Sequence, residues 1–280
     1  MTYNFNNIID ARGSQVGMLQ RIYGQNGLLL WEKASQGGDT SEYASQYLTF
    51  DIVTGGYIIL YAYRETYPDY DASKTIQYSI NNGSWISKTS KRSSGTLTDT
   101  NYIAVNAGDK VRFKGTNSEY WGLHFHGDAT WNISGNIMSL IYGDDFTGKT
   151  TLTDNRTFCE VFNEGTTLGA PHLLLDCTNL VLPATTLTPG CYNNMFAGCN
   201  ITTAPVLPAT TLTSGCYGGM FTGCSSLRYI KCLATSVDST LNTGYWTDGV
   251  SSTGTFVKDA NTTWPSGTSG IPSGWTIQNA

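Results

Sequence analysis

Few stretches of this chain carry residue types that could do chemistry. In "HFH", His124 and His126 place two imidazoles on one face of a strand, because side chains alternate there with period two. Such a pair can supply two ligands to a transition metal, and a trimer would complete a six-ligand site on its axis. Without that assembly the pair reads as ordinary strand or loop beside Asp128. "GDDFTGKT", Gly143 to Thr150, has the spacing of a phosphate-binding loop. Asp144 and Asp145 would put two negative charges inside its cradle, and the following "TLTDNRTF" is a poor helix, so it reads as a polar turn. There is no G-x-S-x-G and no H-E-x-x-H, and the chain holds only 3 His. No catalytic residue, resident metal or cofactor is expected, and the chain reads as a non-enzyme. A carboxylate pair for glycan cleavage stays open, because spacing in space is invisible in a sequence.

Aromatic residues are the stronger lead. "EYWGLHFHGDATW" gathers Tyr120, Trp121, Phe125 and Trp131. Aromatic faces beside Asn and Asp suit carbohydrate, which presents C–H patches together with hydroxyls. Tyr120, Trp121 and Trp131 are therefore the expected ligand-binding aromatics, with a sandwich core plus aromatic hairpin as the alternative.

The elements that must position them begin with a repetition. "LPATTLTPGCYNNMFAGC" recurs as "LPATTLTSGCYGGMFTGC" with a period of 25 residues. Repetition of this kind marks stacked units. Cys191, Tyr192, Met195, Phe196 and Cys199 fall on one face if the segment is a two-turn helix. The second copy keeps that stripe and replaces Asn193-Asn194 by Gly218-Gly219. The Asn pair is therefore expected to point outward, free to vary and available to a ligand. A degenerate earlier unit surrounds Phe162 and Gly165, and a half unit follows in "SSLRYIKCLATS". The 7 Cys all lie between 159 and 232. Their odd number and equal phase predict a buried ladder of free thiols, because Cys packs as a small hydrophobe.

Ahead of the repeats the chain reads as short strands rich in Val, Ile, Tyr and Thr. Asn82-Gly83 predicts a tight turn, and "VNAGDKV" a second hairpin. The expected fold is mainly β: an antiparallel β-sandwich followed by a short leucine-rich-repeat solenoid with a C-terminal cap. The expected divisions are an N-terminal attachment segment (1–35), a linker (36–46), the sandwich (47–145), the repeats (146–235) and the cap (236–280). Trp246, Trp264 and Trp275 are expected to close the open end of the stack.

The C-Y-x-x-M-F-x-G-C and L-P-A-T-T-L units resemble BspA-like leucine-rich repeats, found in surface proteins of gut Bacteroidetes and of phages or prophages infecting them. "STGTFVKDANTTWPSGTSGIPSGWTIQNA" resembles the segment that closes such repeats, and "NISGNIMSLIYGDDF" the join to a preceding β-module. The resemblance is specific for architecture rather than for activity.

Charged residues are 13% of the chain and the net charge is −5, with no basic run, so nucleic-acid binding is not expected. No apolar run approaches the roughly 20 residues of a membrane span. The N-terminus has no basic segment ahead of an apolar core, so it does not read as a secretory signal. The polar, charge-poor surface nevertheless reads as extracellular; release of a virus particle by lysis would reconcile the two, as would a chain trimmed of its signal. The expectation is a structural phage or prophage virion protein, tail- or fibre-associated, that binds a host cell-surface glycan or protein. Residues 1–35 would hold another virion protein, and a homo-oligomer such as a trimer is plausible. The alternatives are a bacterial cell-surface adhesin and a glycan-cleaving enzyme.

Overall fold

The computed structural model describes residues 21–23, 29–32, 41–62, 74–92, 102–165 and 172–280. Two compact units divide the chain, Met1–Gln36 and Gly37–Ala280. In the first, β1 (Arg21–Tyr23) and β2 (Leu29–Glu32) pair antiparallel. The rest of the expected 1–35 segment lies outside the described residues.

The second unit is mainly β, and its first part is two facing sheets. One has the order β12-β11-β3-β9-β5-β6, from β3 (Leu48–Thr54), β5 (Thr75–Ile80), β6 (Ile86–Thr89), β9 (Lys110–Gly115), β11 (Thr130–Asn136) and β12 (Leu174–Val181). The other joins β10 (Leu123–Gly127), β4 (Gly56–Ala62) and β7 (Lys91–Arg92), with β8 (Ile103–Val105) also on β4. Strand alternation decides the faces. Leu48, Phe50 and Ile52 of β3 point inward, as do Val111 and Phe113 of β9. Phe50 and Phe113 meet Phe125 of the opposite sheet, with ring centroids 4.9 and 5.0 Å apart. The aromatic rings thus bridge the two layers, and the polar alternates of β3, β9 and β11 are left on the outer face.

Three local expectations are corrected. The β5–β6 turn centres on Asn81-Asn82, both with positive φ, one residue before Asn82-Gly83. Asn tolerates that conformation, and Asn81 is fixed there by its side chain: Nδ2 donates to Asp109 Oδ1 and Oδ1 accepts from Lys110 N. "VNAGDKV" is not a hairpin, because β8 and β9 belong to different sheets. Residues 41–46, expected as linker, pack on β11. Asn136 Nδ2 donates to Ala44 O, and Asn136 N to Gln46 O.

β12 runs parallel to β11 and begins a second regime. Tyr229–Cys232 (β13), Thr255–Lys258 (β14) and Thr276–Asn279 (β15) form a parallel ladder, and bridges join Thr203 to Tyr229 and Leu207 to Cys232. The ladder therefore continues through the residues expected as a separate cap. Opposite it lie stacked ribbons of turns, not the expected helices. Cys191, Asn193, Met195, Ala197 and Cys199 each donate N–H to the carbonyl three residues back, while Tyr192, Asn194, Phe196 and Gly198 donate to Cys216, Gly218, Met220 and Thr222 of the next rung. A left-handed residue closes a turn every fourth position, at Gly190, Asn194 and Gly198 and again at Gly215, Gly219 and Gly223. Such residues break a helix. The stripe residues are buried as expected, because a four-residue turn repeat returns side chains to one face much as a helix does.

Two aromatic columns thread the rungs. Phe158, Tyr192, Tyr217 and Trp246 stack in one, and Phe162, Phe196 and Phe221 in the other, with neighbouring centroids from 5.6 to 6.2 Å. The columns converge on Trp246, and Trp264 stacks beyond it at 5.3 Å. All 7 cysteines are free and buried. The Cys199 and Cys224 thiols donate to the Phe162 and Phe196 carbonyls at 3.1 and 3.0 Å, so each also ties its rung to the one before.

Candidate functional site

The expected aromatic patch does not form. Tyr120 is fully buried and its hydroxyl donates to Leu140 O at 2.8 Å. Its ring stacks on Phe158, and Phe125 stacks on Phe162, so these two residues are the base of the aromatic columns. Trp131 is 1% exposed and packs against Phe50. Rings of this size contribute more by covering the first rung than by facing water. Trp121 is half-buried, with the Arg156 guanidinium 4.2 Å from its ring centroid.

The Asn pair is also corrected. Asn193 and Asn194 are half-buried and bonded to each other, Nδ2 of Asn194 to Oδ1 of Asn193 at 2.9 Å. They lie against Gly218 and Gly219: a Cβ at those glycines would stand 2.7 Å from Asn193 Nδ2 and 2.0 Å from Asn194 Oδ1. Asn194 and Gly219 moreover both have positive φ. The exchange of Asn for Gly is thus held within residue types that the turn and the neighbouring rung admit.

A different set of residues makes a site. On the outer face of the six-stranded sheet, the register aligns Asn179 (β12), Ser134 (β11), Thr49 (β3), Arg112 (β9) and Ser79 (β5) in one row. A second row aligns Asp176, Asn132, Asp51 and Lys110. From these rows, Thr49, Asp51, Lys110, Arg112, Ser134 and Asn179 floor an open cleft of about 220 Å³, walled by Tyr43, Gln46 and Asn82. Lys110 Nζ bonds Asp51 Oδ1. Arg112 donates from Nη2 to Ser79 Oγ at 3.1 Å, and its guanidinium lies 5.3 Å from the Trp85 ring and 5.8 Å from that of Tyr47. Its Nε is buried without an acceptor. Ser134 is 7% exposed, and its hydroxyl has no hydrogen bond among the described residues.

Other titratable groups serve the fold. His124 lies opposite Tyr61 across β4–β10, and burial, with a smaller effect of His126, lowers its pKa to about 4. The rings of His124 and His126 are 5.8 Å apart, and no group of three metal-ligating side chains occurs among the described residues. Glu164 accepts from Leu173 N and Leu174 N and meets His172 Nδ1, and burial raises its pKa. Asp144, of the loop with phosphate-loop spacing, accepts from Lys114 Nζ and Tyr47 Oη, which lower its pKa. Its carboxylate is spent on the sheet. Burial pushes the thiol of Cys216 up to about 11 and that of Cys232 to about 12, so neither is a nucleophile at neutral pH.

Among the described residues the cleft offers hydroxyls, amides, one carboxylate and two cations at fixed positions. It can bind a polar ligand by hydrogen bonds. The sequence held half its signal: Thr49 and Asp51, Lys110 and Arg112, Asn132 and Ser134 are the polar alternates of apolar strands. Which alternates stand side by side depends on register across strands far apart in sequence. Comparison with protein-family models, with curated proteins and with solved structures found no match. No helix among the described residues is long and apolar enough to cross a membrane.

Proposed function

We propose that this chain is a non-enzymatic recognition protein of a phage or prophage virion, tail- or fibre-associated, which binds glycan on the bacterial host surface. In this reading the facing sheets are a β-sandwich that carries the binding site. The stacked rungs are a BspA-like leucine-rich-repeat solenoid that extends from it, and Met1–Gln36 attaches the chain to the particle. The observation that carries the proposal is the in-register polar row Asn179–Ser134–Thr49–Arg112 flooring an open cleft. Hydroxyl and amide groups in such an array match the hydroxyls of a sugar. The lining supports binding without cleavage: among the described residues it holds one carboxylate, Asp51, which bonds Lys110, whereas glycoside hydrolysis uses two. One shallow site binds weakly, on the order of millimolar to micromolar Kd, and many copies on one particle multiply that through avidity.

Two measurements test the reading. Glycans from host envelopes should bind the purified chain and be recovered intact. Antibody to the chain should label particles at the tail in negative stain. Release of sugar products would overturn the non-enzymatic claim. Labelling of bacterial envelopes instead of particles would favour an adhesin.

A further inference from the structure

We propose that the sheet-face cleft is specific for an acidic sugar: the carboxylate of a uronic or ulosonic acid residue sits on Arg112, and its ring hydroxyls on Ser134 and Asn179. This rests on the glycan-binding reading above and names the ligand class.

Charge arrangement carries the inference. The outward positions of β9 are all cationic: Lys110, Arg112 and Lys114. The two lysines are neutralised, Lys110 by Asp51 and Lys114 by Asp144, at 2.8 and 2.9 Å from its two oxygens. Arg112 has no carboxylate partner among the described residues, although it stands in the row between Thr49 and Ser79. Arg112 is thus a cation on the cleft floor that no carboxylate neutralises among the described residues, in a chain of net charge −5.

The guanidinium is also held ready. Ser79 Oγ fixes one edge, and the Trp85 and Tyr47 rings lie beside it. Stacked, weakly hydrated guanidinium binds a planar carboxylate in two-point fashion, which an ammonium cannot do. Nε remains a buried donor without an acceptor. The remaining lining suits the rest of a sugar ring rather than a bare ion. Thr49 Oγ1 is used by Tyr47 O at 2.8 Å, but the side chains of Ser134 and Asn179 make no hydrogen bond among the described residues. Both follow Arg112 along the same row, on the side away from Ser79. The step is reversible binding; no bond is made or broken.

The test is affinity electrophoresis of the full chain through gels containing polygalacturonate, polysialic acid, neutral dextran or dextran sulfate. Polygalacturonate or polysialic acid should retard the chain, which separates uronic from ulosonic recognition, and neutral dextran should not. Arg112→Gln should weaken that retention on the order of tenfold. Because Arg112 packs on two rings, Asn179→Asp provides an independent variant. It is nearly isosteric and half-buried, and it should weaken retention by repulsion while leaving the melting temperature unchanged. Full retention of both variants by the acidic polymers overturns the proposal. So does equal retention by dextran sulfate, which would show that charge density alone is read. Binding of dextran that is sensitive to Asn179 would leave the glycan reading standing and remove the acidic specificity. Absence of retention by all four polymers would remove both.

Discussion

Gly198 packs directly against the backbone of the preceding rung. Its φ is +79°, and a Cβ there would stand 1.7 Å from the Gly165 carbonyl oxygen. Gly148 has φ +76° with no atom within 4 Å of such a Cβ. The pair separates backbone strain from collision. Gly148→Ala should cost about 1–2 kcal/mol for the left-handed conformation alone. Gly198→Ala should cost at least about 3 kcal/mol, because a backbone carbonyl cannot swing aside as a side chain can. Urea unfolding of both variants checks this, and equal losses would show that the rungs part freely. A second residue-scale prediction concerns His124. Its folded pKa, near 4, lies below the value of about 6.5 in an unfolded chain. Its contribution is therefore complete above pH ~6.5 and is lost as pH falls through ~4, by on the order of 3 kcal/mol. Buried Glu164, whose pKa is raised, pulls the other way as pH falls. The measurement is thus the difference in unfolding free energy between the parent and His124→Gln, which should shrink with acidification. A difference independent of pH would refute it.

Among the elements, the turn ribbon is the unit that repeats. It spends one N–H of each pair on its own turn and the other on the next rung, and it stacks an aromatic ring on each neighbour. Phe196 lies between Phe162 and Phe221, at 5.6 and 5.8 Å. Phe196→Ala should cost about 3–5 kcal/mol, as for deletion of other buried rings. Far-UV circular dichroism of the parent should show no helical signature, because alternate N–H groups leave the ribbon. The thiols belong to the same ladder. Native protein should react slowly with a thiol reagent, and all 7 cysteines should react after denaturation. Rapid titration of Cys199 or Cys224 in the native state would show that the rungs breathe.

For the whole molecule, the contact boundary after Gln36 makes a deletion informative. A chain of residues 37–280 should melt as the parent does and keep the sheet-face cleft, since Tyr43, Gln46 and the rows all lie beyond the cut. It should fail to join the particle if Met1–Gln36 is the attachment segment. Normal incorporation of the truncated chain would end that reading, and unfolding would show that the second unit is not self-sufficient. A chain with only 13% charged residues also predicts weak ionic-strength dependence of stability.

The sequence by itself determined the core. Repetition in phase named Cys191, Tyr192, Met195, Phe196 and Cys199 as buried, and strand alternation separated Phe50 and Ile52 from Thr49 and Asp51, because burial follows local period whatever the neighbours are. It also held an unread signal: Gly and Asn at every fourth position write turns closed by left-handed residues, which a helix cannot accommodate. Tertiary structure alone decided the site. Tyr120 and Trp131 have the composition of a sugar platform, yet Tyr120 covers the first rung of the stack and Trp131 fills the core against Phe50. Asn193 and Asn194 are polar, yet the next rung presses glycines against them. Ser134, Thr49 and Arg112 are distant in sequence and meet only because hydrogen bonds between strands fix their register. A one-residue slip would turn each of them to the opposite face.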